Sequence, residues 1–313
     1  MADGASGHQP VSGKLMPPLK LFLDQWAIVN LLEESSYAAQ QEKLVSLCKK
    51  NFCVLVLTIW YVHEALRDGN KDRAKELCTK IEALSKQVPC LWIRLRTQLQ
   101  EDEVAEQFFR WTGGHYQKID PFCEEAVDIF PNHEKLSDIE SARREGLLWF
   151  LNRPELFGEA LSEQRKYPAV KAELKAAAQT TIGRKGLSNE ARRQYVERLL
   201  PSRYPGGLVI ASESKRQFLQ QMDINKFRAI SFEAALSEAT TADAQAHPTE
   251  QDLVDLQHAV SMIPYVDVVV LDAKFCKYAS TVKKNWRGPE PLAECFDNVA
   301  AALDWIEKEA AKH

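Results

Sequence analysis

One segment toward the carboxyl end of the sequence decides the fold class: it reads DLVDLQHAVSMIPYVDVVVLDAKF, from Asp252 to Phe275. Its first half belongs to a helix predicted over Glu250–Met262, which opens with the capping-box pattern Thr249-x-x-Asp252. A Pro-Tyr pair ends this helix. The apolar run Val266–Leu271 follows, and it is typical of a strand buried on both faces of a parallel sheet. The segment therefore predicts a helix and a strand that finishes at a carboxylate, Asp272.

The same kind of pattern occurs near the amino end. Leu19–Leu23 (LKLFL) predicts a first strand that ends at Asp24, and Tyr37–Lys50 predicts a helix. The uninterrupted run Phe52–Leu57 predicts a second buried strand, followed by a helix over Tyr61–Arg67. Strand, helix, strand and helix in this order indicate an α/β protein with a parallel sheet.

Between these two regions the sequence predicts mainly helices. They are expected, with one strand at Cys90–Ile93, over Asp72–Gln87, Gln98–Arg110, Asp138–Leu151, Ala172–Thr180 and Ser188–Leu200. An amphipathic helix is predicted over Pro291–Lys308. We therefore predict a flexible segment at 1–18, an α/β core formed by 19–70 with 249–313, and a large helical insertion at 71–248.

Composition limits the class of protein. The 313 residues are 45% hydrophobic and 27% charged, as in ordinary folded proteins. No apolar run approaches the roughly 18 to 20 residues that span a bilayer, and the opening residues lack a signal-peptide pattern. Seven cysteines without a C-x-x-C pair argue against a zinc knuckle and against a disulfide framework. We expect a cytoplasmic protein with reduced thiols and no membrane association.

Acidic residues follow the predicted strands. Asp24 and Asp272 each end a strand, Glu64 lies on the helix after the second strand, and Asp255 lies on the helix before the last one. Because the carboxyl ends of parallel strands line one crevice, these carboxylates are expected to converge there. For Asp24 a turn or helix-cap role is equally compatible with the sequence. The capping box explains Asp252 better than a ligand role does. His258 is more typical of a core or orienting histidine than of a ligand.

Crowded carboxylates repel each other, and divalent cations relieve that repulsion. Oxygen ligands without Cys/His spacing favour Mg²⁺ or Mn²⁺ over zinc. Such ions activate water and stabilise a phosphoryl centre, which is the chemistry of phosphodiester cleavage. A haloacid-dehalogenase-type phosphatase is disfavoured because it needs a second aspartate two positions after the first, where this sequence has Trp26.

LFLD at Leu21–Asp24, T-x-x-x-x-H-E at Thr58–Glu64 and the segment Asp252–Phe275 together resemble PIN-domain proteins of the bacterial type. The resemblance covers about ninety residues and implies a PIN-like parallel sheet flanked by helices, with Mg²⁺/Mn²⁺-dependent nuclease activity, mostly on RNA. The implied metal-binding and catalytic residues are Asp24, Glu64, Asp255 (with Asp252 as a register alternative) and Asp272. The family's small polar pair after the first aspartate is replaced here by Gln25-Trp26, so Thr58 is the candidate for a supporting hydroxyl. His258 and Asp267 are the other expected supporting residues.

The net charge of −4 is unevenly distributed. Lys274–Arg287 holds five basic residues and no acid, and Arg184–Arg228 holds ten basic residues against four acids. Either these runs are solvated helix faces, or they bind a polyanion through residues such as Lys274, Lys277, Arg192 and Arg193. The prediction is a toxin- or defence-related endoribonuclease that binds RNA, with DNA open as a substrate and a homodimer or antitoxin-like partner open as well. The alternative is an inactive PIN-like scaffold that binds RNA or a protein.

Overall fold

The computed structural model describes residues 17–67, 69–129, 138–157, 165–166, 168–169, 171–172, 189–204, 207–243 and 249–312. The predicted flexible segment at 1–18 lies outside these residues except for its last two positions. The predicted helix Ala172–Thr180 lies outside them except for Ala172.

Six strands form one sheet: β1 (Leu19–Leu23), β2 (Cys53–Leu57), β3 (Cys90–Ile93), β4 (Phe122–Cys123), β5 (Val268–Val270) and β6 (Glu294–Phe296). Their order across the sheet is β4-β3-β2-β1-β5-β6, and all neighbours are parallel except β3 and β4. Leu21 of the central strand pairs with Leu55 on one side and Val268 on the other. The predicted α/β class with a mostly parallel sheet is confirmed.

The described α-helices are α1 (Gln25–Glu33), α2 (Ala38–Lys49), α3 (Trp60–Arg67), α4 (Lys71–Ser85), α5 (Arg96–Trp111), α6 (Ile139–Glu145), α7 (Leu147–Leu151), α8 (Asn189–Leu199), α9 (Ser212–Gln221), α10 (Arg228–Ala242), α11 (Glu250–Met262), α12 (Ala273–Lys284) and α13 (Val299–Ala310). Short 3₁₀ turns cover Ser35–Tyr37, Ala126–Ile129, Pro154–Phe157 and Ile224–Lys226. None of these helices has both the length and the apolar character needed to cross a membrane.

The core explains why the central strands carry almost no polar residues. All five residues of β2 and all three of β5 are buried, because helices cover both faces of the sheet. A second apolar cluster lies away from the sheet and joins α5, α8, α9 and α10 through residues such as Phe108, Val196 and Phe218. Helix α5 takes part in both clusters, since its Leu99 packs with the sheet core.

Two predicted helices differ from the structure. The single helix expected over Asp138–Leu151 is two helices, because Gly146 between them has a positive φ of 54°. The helix expected over Pro291–Lys308 begins only at Val299, where the Asn298 side chain accepts a hydrogen bond from the Ala301 N–H. The residues before it form β6, whose pairing with β5 outweighs the helical spacing of their apolar side chains.

The sequence suggested that the α/β core is formed only by 19–70 with 249–313. The sheet also includes strands from the segment between these two regions. Strands β3 and β4 lie within the segment 71–248, which was expected to be a helical insertion, and they extend the sheet beyond β2. The strand predicted at Cys90–Ile93 is confirmed. The short strand β4 carries no signal of its own, since two residues are too few to show a period.

Candidate metal centre

Asp24 ends β1 at the carboxyl edge of the sheet. Its backbone N–H donates to the Val270 carbonyl, so the position is fixed between two central strands. It occupies the N-cap position of α1, yet its side chain makes no capping hydrogen bond there. The carboxylate is buried and instead lies 2.7 Å from Nδ1 of His258, measured from Oδ1. The helix-cap role that the sequence allowed is therefore not the role of this side chain.

Glu64 reaches the same point from α3. Its side chain is buried, and one carboxylate oxygen, Oε2, lies 3.9 Å from Nε2 of His258. The ligand atoms of Asp24, Glu64 and His258 all lie within 4.8 Å of one another, which is close enough to hold one metal ion. The fully buried Tyr61, one turn before Glu64, donates its hydroxyl to the Leu23 carbonyl and so joins α3 to the end of β1.

Asp255 lies on α11, one turn before His258, and is also buried. Gln251, one turn earlier on the same helix, donates its Nε2 to Asp255 Oδ1 at 2.6 Å and to Glu64 Oε1 at 3.0 Å. Residues four apart share one helix face, so Gln251 and Asp255 both project toward α3. A single amide therefore bridges carboxylates from two helices.

Asp272 follows β5 and serves as the N-cap of α12. Its Oδ1 accepts a hydrogen bond from the Phe275 N–H at 2.8 Å, and the residue is half-buried. The four predicted acids nevertheless line one cleft of about 590 Å³ at the carboxyl edge of the sheet. The other residues that line this cleft include Gln25, Trp26, Asn30, Arg73 and Gln251.

The electrostatics of the cluster follow from burial and crowding. Burial, reinforced by the charges of Asp24 and Asp272, raises the pKa of Asp255 to about 8. Burial by itself would lower the pKa of His258, but the carboxylates of Glu64, Asp24 and Asp255 outweigh it and raise that pKa to about 9. Burial and crowding thus favour the protonated forms of Asp255 and His258 and so reduce the negative charge of the cluster.

Two predicted acidic residues lie elsewhere. Asp267, expected to support the site, precedes β5, and its Oδ2 accepts the Lys20 N–H at the amino edge of the sheet. This expectation was wrong because the length of β5 separates Asp267 from Asp272. Asp252, the register alternative for the third acid, accepts the Thr249 N–H with Oδ2 and pairs with Lys274 through Oδ1 at 2.5 Å. Its carboxylate is used for the capping box and an ion pair.

The remaining candidates have distinct places. The Thr58 hydroxyl accepts the Trp60 N–H at 3.3 Å, so it positions the start of α3. Lys277 is exposed on α12, the helix that begins after Asp272. On α8, Arg193 is exposed, and Arg192 lines a separate cavity of about 240 Å³ with Tyr195 and Glu233 among others.

Sequence reasoning missed the two glutamines of the site. With its nitrogen facing the carboxylate, the Gln25 amide donates to both oxygens of Glu64, at 3.0 and 2.7 Å. Gln251 binds Glu64 and Asp255 as described. The four-residue spacing of Gln251 and Asp255 on a predicted helix was the available signal.

The donor set fits a divalent cation. Two buried atoms at the cluster have no hydrogen-bond partner within the described residues: His258 Nε2 and Gln251 Oε1. Imidazole nitrogen, amide oxygen and carboxylate oxygen are all ligand types of divalent metals in proteins. The buried cluster of Asp24, Glu64 and His258 can therefore hold a metal ion.

Comparison of the chain with protein-family models, curated proteins and solved structures finds no match.

Proposed function

We propose that the chain is a Mg²⁺- or Mn²⁺-dependent endoribonuclease with a PIN-like core. The observation that carries the proposal is the cleft at the carboxyl edge of the sheet, where Asp24, Glu64, Asp255 and Asp272 meet beside a buried imidazole. Four carboxylates from four separate elements are costly to crowd together unless cations compensate them. Their oxygen-rich donor set suits Mg²⁺ or Mn²⁺.

In this proposal Asp24, Glu64 and Asp255 would hold the cation, and Asp272 would contribute its charge from the edge of the cleft. A divalent cation held there would supply the Lewis acidity that activates water toward phosphorus. Hydrolysis adds one water across a P–O bond, with the oxygen going to phosphorus and a proton to the leaving ribose oxygen. His258 orients Asp24 through Nδ1, and Trp26 and Asn30 form the wall where a nucleotide would lie.

The basic run of α12 supports a polyanionic substrate. This helix begins directly after Asp272, and Lys277 is exposed in its second turn. Positive charge beside an acidic cleft is needed because RNA is repelled by the carboxylates and by the net charge of −4.

The test begins with metal binding. Calorimetry should detect Mn²⁺ binding to the wild type and its loss in Asp24→Asn with Asp272→Asn. The matched control is Asp267→Asn, the same chemical change at the other end of β5. Cleavage of a labelled single-stranded RNA should fall roughly a thousandfold in Asp24→Asn, several kcal/mol of transition-state stabilisation. RNA binding without Mn²⁺ binding would favour the inactive scaffold instead. RNase activity that survives both chelator and Asp24→Asn would show a contaminant or another active site.

A further inference from the structure

The amide of Gln251 faces the cluster with its nitrogen. It donates to Glu64 on α3 and to Asp255 on its own helix, at 3.0 and 2.6 Å. These are two of the carboxylates to which the proposed function assigns the cation. The amide N–H groups and a cation would therefore compete for the same oxygen atoms.

The carbonyl oxygen of the same amide is unsatisfied among the residues that the structure describes. Gln251 Oε1 is buried and has no hydrogen-bond partner within the described residues. A buried carbonyl oxygen without a partner is costly, so a ligand for it would be a net gain. The terminal torsion of glutamine is broad and roughly two-fold, so the amide can turn over without a change in the rest of the side chain.

Glu64 has a second amide donor besides Gln251, namely Gln25. Its nitrogen donates to both oxygens of Glu64. Glu64 therefore keeps an amide donor when Gln251 turns away, whereas Asp255 loses the donor at 2.6 Å. Of the two glutamine amides, Gln251 is therefore the one that would change its hydrogen bonds to both acids if a cation bound between Glu64 and Asp255.

We propose, building on the proposed function, that Gln251 is a reversible metal ligand. In chelator its NH₂ group joins Glu64 to Asp255, and with a divalent cation its amide turns so that Oε1 binds the ion. Gln251 thus balances the carboxylates without a cation and completes the ligand set with one. Neutral amide oxygens are ordinary ligands of hard divalent cations.

The direct test observes the amide itself. In protein labelled with ¹⁵N at glutamine side chains, the Gln251 NH₂ signals are those absent from Gln251→Glu. Titration with diamagnetic Mg²⁺ should shift them saturably, and their exchange with water should quicken by about tenfold or more because the NH₂ group leaves both of its acceptors. The NH₂ signals of Gln257, on the same helix and outside the cleft, should stay in place.

Gln251→Glu provides a second readout. It keeps an oxygen ligand but replaces the donor with a charge, so Tm in chelator should fall and Mn²⁺ should bind about tenfold more tightly by calorimetry. Gln257→Glu adds the same charge to the same helix and should bind Mn²⁺ like the wild type. If wild type binds Mn²⁺ while the Gln251 signals stay unmoved and the two variants bind alike, the inference is overturned and the metal centre stands. If wild type binds neither ion, the proposed function fails with it.

Discussion

Asp24 and His258 lie 234 positions apart in the sequence, and Oδ1 of the carboxylate is 2.7 Å from Nδ1 of the imidazole. Both side chains are buried. The contact fixes α11 against the end of the central strand and gives the Asp24 carboxylate its hydrogen-bonded partner. Removing one member of a buried pair leaves the other without compensation, which is usually far more costly than losing an exposed ion pair.

His258→Ala should therefore lower the free energy of unfolding in chelator by about 3–5 kcal/mol. His258→Asn should lose less, because an asparagine amide nitrogen can occupy the place of Nδ1 and donate to Asp24. Urea unfolding of both variants measures the difference. Equal losses in the two variants would mean that packing of the ring, rather than its bond to Asp24, stabilises this part of the core.

Gly146 separates two helices and is closely approached by a side chain. Its φ is +54°, and a Cβ built there would lie 2.1 Å from Oε1 of Glu82, the atom that accepts the Leu147 N–H. Gly146→Ala should cost about 2–4 kcal/mol, from backbone strain together with loss of that hydrogen bond. Gly113 has a φ of +73° with open space around it, so Gly113→Ala reports the backbone strain alone. Thermal unfolding should rank Gly146→Ala clearly below the control, and equal shifts would remove the steric argument.

Glu103 should make stability depend on pH. It is buried on α5, both its oxygens accept the Ala229 N–H, and burial raises its pKa from 4.5 to about 7. Between these values the folded chain keeps a proton that the unfolded chain has lost. The contribution of Glu103 to the free energy of unfolding therefore falls as pH rises from about 4.5 to 7, by about 1 kcal/mol per pH unit.

The measurement is urea unfolding of wild type and Glu103→Gln at several pH values in this window. The stability of the variant relative to wild type should rise with pH and level off above about 7. Glu101→Gln, an exposed position on the same helix, serves as the control. A difference that does not change with pH would show that Glu103 ionises in the folded chain as it does in the unfolded one.

The basic residues should contribute unequally to RNA binding. Lys274 is paired with Asp252, whereas Lys277 is exposed one turn further along α12. Lys277→Glu should therefore weaken RNA binding across sequences. The logarithmic salt slope should shrink by roughly one unit or less for every phosphate group that the variant no longer neutralises.

Arg192→Glu with Arg193→Glu tests the other basic run by the same titrations against salt. If that run also follows the RNA backbone, the double variant should show the same two effects. Unchanged salt slopes for both sets of variants would identify the two runs as solvated helix faces.

The sequence was sufficient for the parts of the fold that have strong local signals. The bounds of β1 and of α11 were predicted to the residue, because an uninterrupted apolar run and a capping box mark them. The strand β6 was missed because Cys295 and Phe296 also fit a helical stripe, and only their pairing with β5 decides between the two. The local spacing of apolar residues carries no information about pairing with a strand that is distant in the sequence.

The same distinction applies to the candidate metal centre. The carboxylates of Asp24 and Asp272 were placed at one edge because strand ends in a parallel sheet share an edge. The glutamines were missed: the spacing of Gln251 and Asp255 indicates a shared helix face, but it does not show that folding brings Glu64 within reach of both amides. Asp267 was misplaced because three residues of β5 suffice to move a side chain to the opposite edge.

The position of β5 beside β1 has a consequence for protein synthesis. Asp24 and Glu64 leave the ribosome early, whereas Asp255, His258 and Asp272 follow about two hundred residues later. A nascent chain can pair β1 with β2 and β2 with β3, but the four acids of the cleft come together only after β5 has emerged and paired with β1. Under the proposed function, a chain with this topology would be inactive while it is being made, and the messenger from which it is translated would be spared.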